Sequence, residues 1–194
     1  LETIFGRPAL VFPSGYHANL AVFSTVCTSH DRVASDQLNH ASIIDGLRLA
    51  KATRSIFPHG DFNAIPDDAK LIAVEGLYSM DGDWLELDRL PSEPWLAVDE
   101  AHAVGCLGPH GRGVAAAQGV QPDILIGTFG KAYGAAGAFV IGPPELKRLL
   151  INSGRAFIYT TGMPEVVARL ALAGLHRATS ERRERLAHRA AYFR

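Results

Sequence analysis

The sequence predicts an α/β domain with a mainly parallel central sheet. Apolar runs with the length of buried strands alternate with stretches of helical character along the chain. We find no internal repeat, low-complexity segment or linker that would divide this alternation into separate parts. Such an alternation is typical of a single domain in which parallel strands are joined through helices.

The composition agrees with one globular domain. A chain of 194 residues with 47% hydrophobic residues can bury one sizeable core. A formal net charge of −1 argues against a nucleic-acid partner, and no apolar run is long enough to suggest a membrane partner. A single disulfide between the two cysteines, Cys27 and Cys106, could not stabilise a domain of this size. We therefore expect a reducing, cytoplasmic location.

The individual elements follow from the apolar pattern. Helices are predicted from Tyr16 to Phe23, after the turn at His40, from Pro144 to Leu150, and from Pro164 toward the end of the chain. We expect residues 157–164 to be extended and rich in hydroxyl groups. Strands are predicted over residues 9–12, 32–36, 53–57, 70–75, 95–98, 124–126 and 136–141.

Two polar positions follow the first two predicted strands. Ser14 and Gly15 open a helix whose free N–H groups can receive an anion such as a phosphate, although Ser14 can also be an ordinary helix cap. His40 lies just past a strand end, where parallel sheets place ligand-facing groups. A single histidine is nevertheless more often structural than catalytic.

Asp99 ends the apolar run that begins at Trp95. Burial of a carboxylate at the end of a strand destabilises the fold unless a cation pairs with it, so Asp99 is a candidate site residue. His102, Cys106 and His110 have a spacing that could indicate zinc, but Gly105, Gly108 and Pro109 interrupt the helix that this spacing needs. The acidic loop over residues 76–83 lacks the regular ligand spacing of a calcium loop. We therefore expect no metal site.

Lys131 lies between the last two apolar runs and has glycine close by on both sides. We expect an amine held where little water can enter, because desolvation disfavours the ammonium form and favours a nucleophilic amine. The alternative is a lysine at a strand end whose long side chain reaches solvent.

These elements fit two kinds of enzyme. A nucleotide hydrolase needs a glycine-rich loop that ends in Gly-Lys-Ser/Thr, whereas Gly130-Lys131 is followed by Ala132 and comes after the acidic strand. Pyridoxal phosphate needs an amine, a carboxylate for the pyridine nitrogen, donors for the phosphate and a group that covers the ring. Lys131, Asp99, the Gly15 turn and His40 can supply these four functions.

The sequence resembles the α-oxoamine synthases, acyl-CoA-dependent enzymes of the fold-type-I pyridoxal phosphate superfamily. The resemblance implies the three-layer large domain of that fold type, with a mainly parallel central sheet. Five stretches that occur in the family's order carry the resemblance: residues 14–19, 36–42, 75–83, 98–113 and 128–131.

The resemblance implies three catalytic residues. Lys131 matches the lysine that forms the Schiff base with the cofactor and then acts as base toward the substrate Cα proton. Asp99 matches the carboxylate that keeps the pyridine nitrogen protonated, and a charge-assisted hydrogen bond there maintains the ring as an electron sink. His40 matches the histidine stacked on the ring.

The remaining cofactor contacts are also implied by the resemblance. His102 and Ser79 match residues near the phenolic oxygen of the cofactor. Gly15, Tyr16 and Thr128 match residues that contact the phosphate of the cofactor. Thr160 or Thr161 matches a residue that reaches the cofactor of the partner subunit.

The family chemistry is a decarboxylative condensation of an acyl-CoA or other acyl thioester with a small amino acid. The stretches 129–131 and 158–164 favour the member that joins a pimeloyl thioester to L-alanine in biotin synthesis, and siblings use glycine or L-serine. The resemblance also implies a homodimer with the active site at the subunit interface. A fragment that binds the cofactor or dimerises without catalysis remains an alternative.

Family members are about twice as long as this chain. The chain starts at Leu1 and ends within a charged run, so we expect residues 1–194 to be part of a longer protein, the cofactor-binding large domain. In this interpretation residues 164–194 form a helix that leads toward a smaller, absent domain. The segments between Phe62 and Lys70 and between Leu87 and Trp95 are short for crossovers between parallel strands, which predicts simplified outer helices.

Overall fold

A computed structural model describes residues 1–193. Its centre is a seven-stranded sheet with the strand order β1-β7-β6-β5-β4-β2-β3, in which β7 alone runs antiparallel to its neighbours. The predicted α/β class and mainly parallel sheet are therefore confirmed. The strands are β1 (Ala9–Phe12), β2 (Arg32–Asp36), β3 (Thr53–Phe57), β4 (Leu71–Glu75), β5 (Trp95–Asp99), β6 (Ile124–Thr128) and β7 (Ala138–Ile141).

Eight α-helices accompany the sheet within residues 1–193. Their bounds are α1 (Glu2–Phe5), α2 (Gly15–Val26), α3 (Ala41–Ala50), α4 (Val114–Ala117), α5 (Pro144–Ser153), α6 (Arg155–Ile158), α7 (Glu165–Arg177) and α8 (Ser180–Phe193). None of the helices in this part of the chain is long and apolar enough to cross a membrane.

Two predictions of local structure are wrong. The stretch from Phe157 is not extended throughout, since Phe157 and Ile158 complete α6, and the Phe157 ring packs edge-on against Phe12 at 5.4 Å. The single helix predicted from Pro164 is divided into α7 and α8. Here the hydroxyl of Thr179 accepts a hydrogen bond from the backbone N–H of Arg182 at 3.4 Å, which starts a new helix. The predicted end at residue 194 lies outside the described residues.

The sheet separates two layers, as the three-layer prediction requires. On one face α2, α3 and α5 bury an apolar cluster that includes Phe23, Ile43 and Leu150. On the other face the connecting segments, α4 and α7 cover clusters that include Phe57 and Phe139. Burial of these apolar surfaces is the main force that holds the layers together.

The second layer is thin because two crossovers lack α-helices. The links between β3 and β4 and between β4 and β5 each contain a single short 3-10 helix, Phe62–Ala64 and Leu87–Arg89, which confirms the predicted simplification. His59 ties both links to the sheet. Its Nδ1 lies 2.9 Å from Asp36 at the end of β2, and its Nε2 lies 3.2 Å from Asp83 in the second link.

Candidate functional site

The candidate site lies where the carboxyl ends of β2, β4, β5 and β6 meet. These four strands are parallel neighbours, and ligands bind at this edge in open α/β sheets. A cleft of about 180 Å³ opens here. It is lined by Gly15, Tyr16, Asn19, His40, Ser42, Glu75, Asp99, Ala101, His102, Thr128 and Lys131.

The N-terminus of α2 forms one wall of the cleft. The hydroxyl of Ser14 accepts a hydrogen bond from the N–H of His17 at 3.2 Å, so Ser14 is the helix cap that the sequence allowed. Gly15 and Tyr16 form the first turn, beside the cleft. The positive end of the helix dipole therefore faces the space where an anion could bind.

Asp99 is buried at the end of β5 and is held on both of its oxygens. Its Oδ1 accepts a hydrogen bond from the N–H of Ala101 at 2.9 Å, and its Oδ2 accepts one from Nδ2 of Asn19 at 2.7 Å. Two fixed donors restrict rotation of the carboxylate while lone pairs remain for a further donor. Asp99 can therefore receive a protonated ring nitrogen or another cation in the cleft.

His40 caps α3 beside the cleft. Its backbone N–H donates to Oε1 of Glu75 at 2.7 Å, and its Nδ1 lies 2.7 Å from the hydroxyl of Ser42. The residue itself is exposed, so its ring borders the open cleft. This position agrees with the prediction that His40 follows a strand end.

Two glutamates beside Asp99 are buried, and burial raises both of their pKa values to about 7. The negative charge of Asp99 adds to the effect for Glu75. Glu100 does not face the cleft. Its oxygens accept hydrogen bonds from the N–H groups of Val114 at 2.9 Å and Ala115 at 2.7 Å, so it caps α4.

Lys131 and His102 complete the lining. Lys131 is exposed in the single chain, so the expectation that little water reaches it is wrong. The loop that carries it, between β6 and β7, faces an open cleft. Partial desolvation nevertheless lowers the pKa of Lys131, although the negative charges of Asp99 and Glu75 act to raise it. Desolvation and the charge of Lys131 lower the pKa of His102.

Of the four remaining predicted cofactor residues, one lines the cleft and three lie outside it. Thr128 lines the cleft, but its hydroxyl donates to the carbonyl of Gly137 at 2.9 Å and accepts from the N–H of Gly130 at 3.1 Å. Ser79 is exposed in the loop after β4 and does not line the cleft. Thr160 and Thr161 follow α6 and also lie outside it.

Four residues of the cleft lining were not predicted from the sequence, namely Ala101 and three polar residues. Asn19, Ser42 and Glu75 lie in the stretches that carry the family resemblance, but none was given a role. A buried amide in the apolar helix α2 and an acid at the end of the buried strand β4 were the available signals. Contact between Asn19 and Ser42 required the packing of α2 against α3, which the sequence pattern does not give.

The cleft fits pyridoxal phosphate in its chemistry. It combines an amine, a buried carboxylate, an imidazole and a helix N-terminus, as that cofactor needs. A phosphate loop of a nucleotide hydrolase does not fit, because the segment after Lys131 leads into β7 and not into a helix. Within residues 1–193 no three His, Cys, Asp or Glu side chains are grouped to hold a metal ion.

Comparison with known proteins assigns the family. Residues 2–194 match the model of aminotransferase class I and II. The chain belongs to the aminotransferase class I and II family. Among its curated relatives, the 8-amino-7-oxononanoate synthase of Chromohalobacter salexigens is 43% identical to the chain over 212 residues. The match covers 100% of the chain and 55% of the relative. The synthase of Alcanivorax borkumensis is also 43% identical, over 96% of the chain and 52% of the relative.

Solved structures agree with this assignment. A serine palmitoyltransferase from S. paucimobilis with a bound PLP-myriocin aldimine matches with a TM-score of 0.89 and 32% identity, covering 96% of the chain and 53% of that protein. The 8-amino-7-oxononanoate synthase of Francisella tularensis matches with a TM-score of 0.87 and 35% identity, over 95% of the chain and 58% of that protein. The predicted fold type and family resemblance are confirmed. The chain spans about half the length of these relatives.

Proposed function

We propose that the protein is a pyridoxal phosphate-dependent acyltransferase that condenses an acyl thioester with a small amino acid, with loss of carbon dioxide. One observation carries the proposal: Lys131, Asp99, His40 and His102 line the same cleft, although they come from three separate segments of the chain. The names of the curated relatives support the same activity.

The side chains of the cleft have distinct proposed roles. Bound pyridoxal phosphate would supply an electron sink for negative charge at the substrate Cα. Asp99 would accept the hydrogen bond of the protonated pyridine nitrogen, and His40 would cover the ring. The amine of Lys131 would hold the cofactor covalently and later take up the Cα proton, for which its lowered pKa is favourable.

The polar edges of the cofactor have further proposed partners. The first turn of α2, at Gly15 and Tyr16, would receive the phosphate. Thr128 would join this contact after its hydroxyl releases the carbonyl of Gly137. His102 would donate to the phenolic oxygen, and Ser79 would reach the same edge from the loop after β4.

We assign a pimeloyl thioester and L-alanine as the substrates, giving 8-amino-7-oxononanoate. The support is that both curated relatives described above carry that name, at 43% identity. Serine palmitoyltransferase is a specific second candidate, since a structure of that enzyme matches with a TM-score of 0.89. Its amino acid would then be L-serine.

A homodimer in the cytoplasm completes the proposal. Thr160 and Thr161 lie outside the cleft of their own chain, which leaves them free to contact the cofactor of a partner subunit. In the described part of the chain both cysteines are unpaired, as is usual in a reducing compartment.

Exchange of the Cα proton tests the function without the acyl substrate. The chain with pyridoxal phosphate should exchange the Cα proton of L-alanine in D2O, as followed by proton NMR, and should exchange those of glycine and L-serine more slowly. Faster exchange of L-serine would transfer the assignment to the serine palmitoyltransferase type. Cofactor binding without any exchange would indicate a non-catalytic module.

A further inference from the structure

Two side chains without an assigned role connect the walls of the cleft. Asn19 lies on α2 and Ser42 on α3, and each is 1% exposed. Nδ2 of Asn19 lies 2.7 Å from Oδ2 of Asp99 and 2.8 Å from Oγ of Ser42. Oγ of Ser42 in turn lies 2.7 Å from Nδ1 of His40. The acid of β5 and the imidazole of α3 are thus joined through two buried residues.

The donors and acceptors along this chain can be assigned from chemistry. The amide nitrogen of Asn19 has two hydrogens, one for the carboxylate of Asp99 and one for the oxygen of Ser42. Ser42 can then donate its own proton to Nδ1 of His40, which also accepts from the backbone N–H of Ser42 at 3.2 Å. Since Nδ1 accepts hydrogen bonds, a neutral His40 carries its proton on Nε2.

Among the described residues, the orientation of the Asn19 amide leaves one of its polar atoms without a partner. Within residues 1–193 its Oδ1 is buried without a hydrogen-bond partner, a condition that destabilises a folded protein. The opposite orientation would place this oxygen against the carboxylate of Asp99, where two acceptors repel each other. The orientation with an unpartnered oxygen is thus the one that serves Asp99, which indicates a role in the cleft beyond packing.

We propose that Asn19 and Ser42 are positioning residues which, through one hydrogen-bonded chain, fix the carboxylate of Asp99 and the imidazole of His40 relative to each other. This inference rests on the proposed function, because it concerns the two groups assigned to the pyridine nitrogen and the ring face. Asn19 holds the acid at the required angle. Ser42 fixes the tautomer and the plane of the imidazole.

The tautomer can be measured without the cofactor. In the chain labelled with 15N-histidine, NMR at a pH where the ring is neutral should show an unprotonated, hydrogen-bonded Nδ1 and a protonated Nε2 for His40. Ser42→Ala should move the Nδ1 resonance toward that of a nitrogen with a weaker hydrogen bond. A proton on Nδ1 in the unsubstituted chain would overturn the proposal.

Cofactor affinity provides the second readout. Ser42→Ala and Asn19→Asp should each weaken the binding of pyridoxal phosphate by about tenfold or more, since each removes a donor from the chain of hydrogen bonds. Ser35→Ala is the matched control, because Ser35 is a buried serine on β2, 3% exposed, outside the cleft lining. It should leave the affinity unchanged.

The outcomes separate the two proposals. Unchanged affinity in folded Ser42→Ala and Asn19→Asp, as judged by circular dichroism, would overturn the positioning role while leaving the proposed function intact. Failure of the unsubstituted chain to bind the cofactor would instead contradict the proposed function. In that case the tautomer of His40 still decides whether the hydrogen-bonded chain exists.

Discussion

Glu75 and Asp99 occupy the same register position in the neighbouring parallel strands β4 and β5. Two acids therefore end adjacent strands side by side, at the edge of the sheet that forms the cleft. Both are buried, with exposed fractions of 7% and 6%. Burial, together with repulsion by Asp99, disfavours a second negative charge here, so the pKa of Glu75 rises to about 7.

The raised pKa of Glu75 predicts a stability that decreases with increasing pH. The folded protein binds the proton more tightly than the unfolded chain, whose value is near 4.5. This contribution is complete below that value and is lost as the pH rises to about 7. Over this window the unfolding free energy should fall by about 3 kcal/mol relative to Glu75→Gln, which cannot ionise.

Urea unfolding of both proteins from pH 4 to pH 8 measures this difference. Glu100 titrates in the same window but is present in both proteins, so its contribution cancels. Glu145→Gln is the control, because Glu145 is an exposed residue of α5 and should follow the unsubstituted chain. A constant difference between Glu75→Gln and the unsubstituted chain across this range would contradict the burial argument.

Glu100 supports the turn that follows Asp99, and Gly113 makes room for it. A Cβ at Gly113 would overlap the carboxyl group of Glu100, and the backbone there has φ +101°. We expect Gly113→Ala to lower the unfolding free energy by about 3 kcal/mol or more, from backbone strain together with overpacking. Differential scanning calorimetry would measure the accompanying fall in Tm.

Gly119 offers the matched comparison. Its φ of +71° carries similar strain, but a Cβ there would meet no atom within 4 Å. Gly119→Ala should therefore cost only about 1 to 2 kcal/mol. Equal losses in the two variants would show that the contact with Glu100 is unimportant.

Elements marked by burial were predictable from the sequence, and those set by local capping were not. Every strand of the sheet was located to within two residues, and the strands β4, β6 and β7, which are buried along their whole length, gave continuous apolar runs. The break between α7 and α8 was missed, since it depends on the hydroxyl of Thr179 and no proline or glycine marks it. Similarly, α6 is too short to show a helical period.

For the candidate site, charged residues at strand ends were predictable and neutral connecting residues were not. Asp99, His40 and Lys131 stand out because they interrupt or end apolar runs, and the structure places all three at one cleft. Asn19 and Ser42 look like ordinary helix residues in the sequence. Their importance depends on distances of 2.7 and 2.8 Å between separate elements, which only the folded chain provides.

Asp99 should matter more for proton removal than for cofactor binding. Asp99→Asn keeps the shape of the side chain but removes the charge that holds the proton of the pyridine nitrogen. We expect exchange of the Cα proton of L-alanine to slow by about a hundredfold or more, a loss typical of a missing electrostatic contact to developing charge. The affinity for pyridoxal phosphate should change much less. Unchanged exchange would contradict this assignment.

Asp68→Asn is the control for that experiment. Asp68 is an exposed partner of Arg32, with a distance of 3.0 Å between Oδ2 and Nε. Surface ion pairs contribute little to stability, so this variant should exchange L-alanine at the unsubstituted rate. Slowing in both variants would indicate a general effect of aspartate replacement.

Covalent capture of pyridoxal phosphate at Lys131 tests the central claim most directly. The cofactor is added to the purified chain, the adduct is reduced with borohydride, and the modified peptide is located by mass spectrometry. We predict a visible absorbance before reduction and a mass increment on Lys131. The increment should be retained in Lys147→Ala, which replaces a half-buried lysine paired with Glu2, and should be absent in Lys131→Ala. A persistent chromophore in Lys131→Ala, with the label on another lysine, would contradict the account.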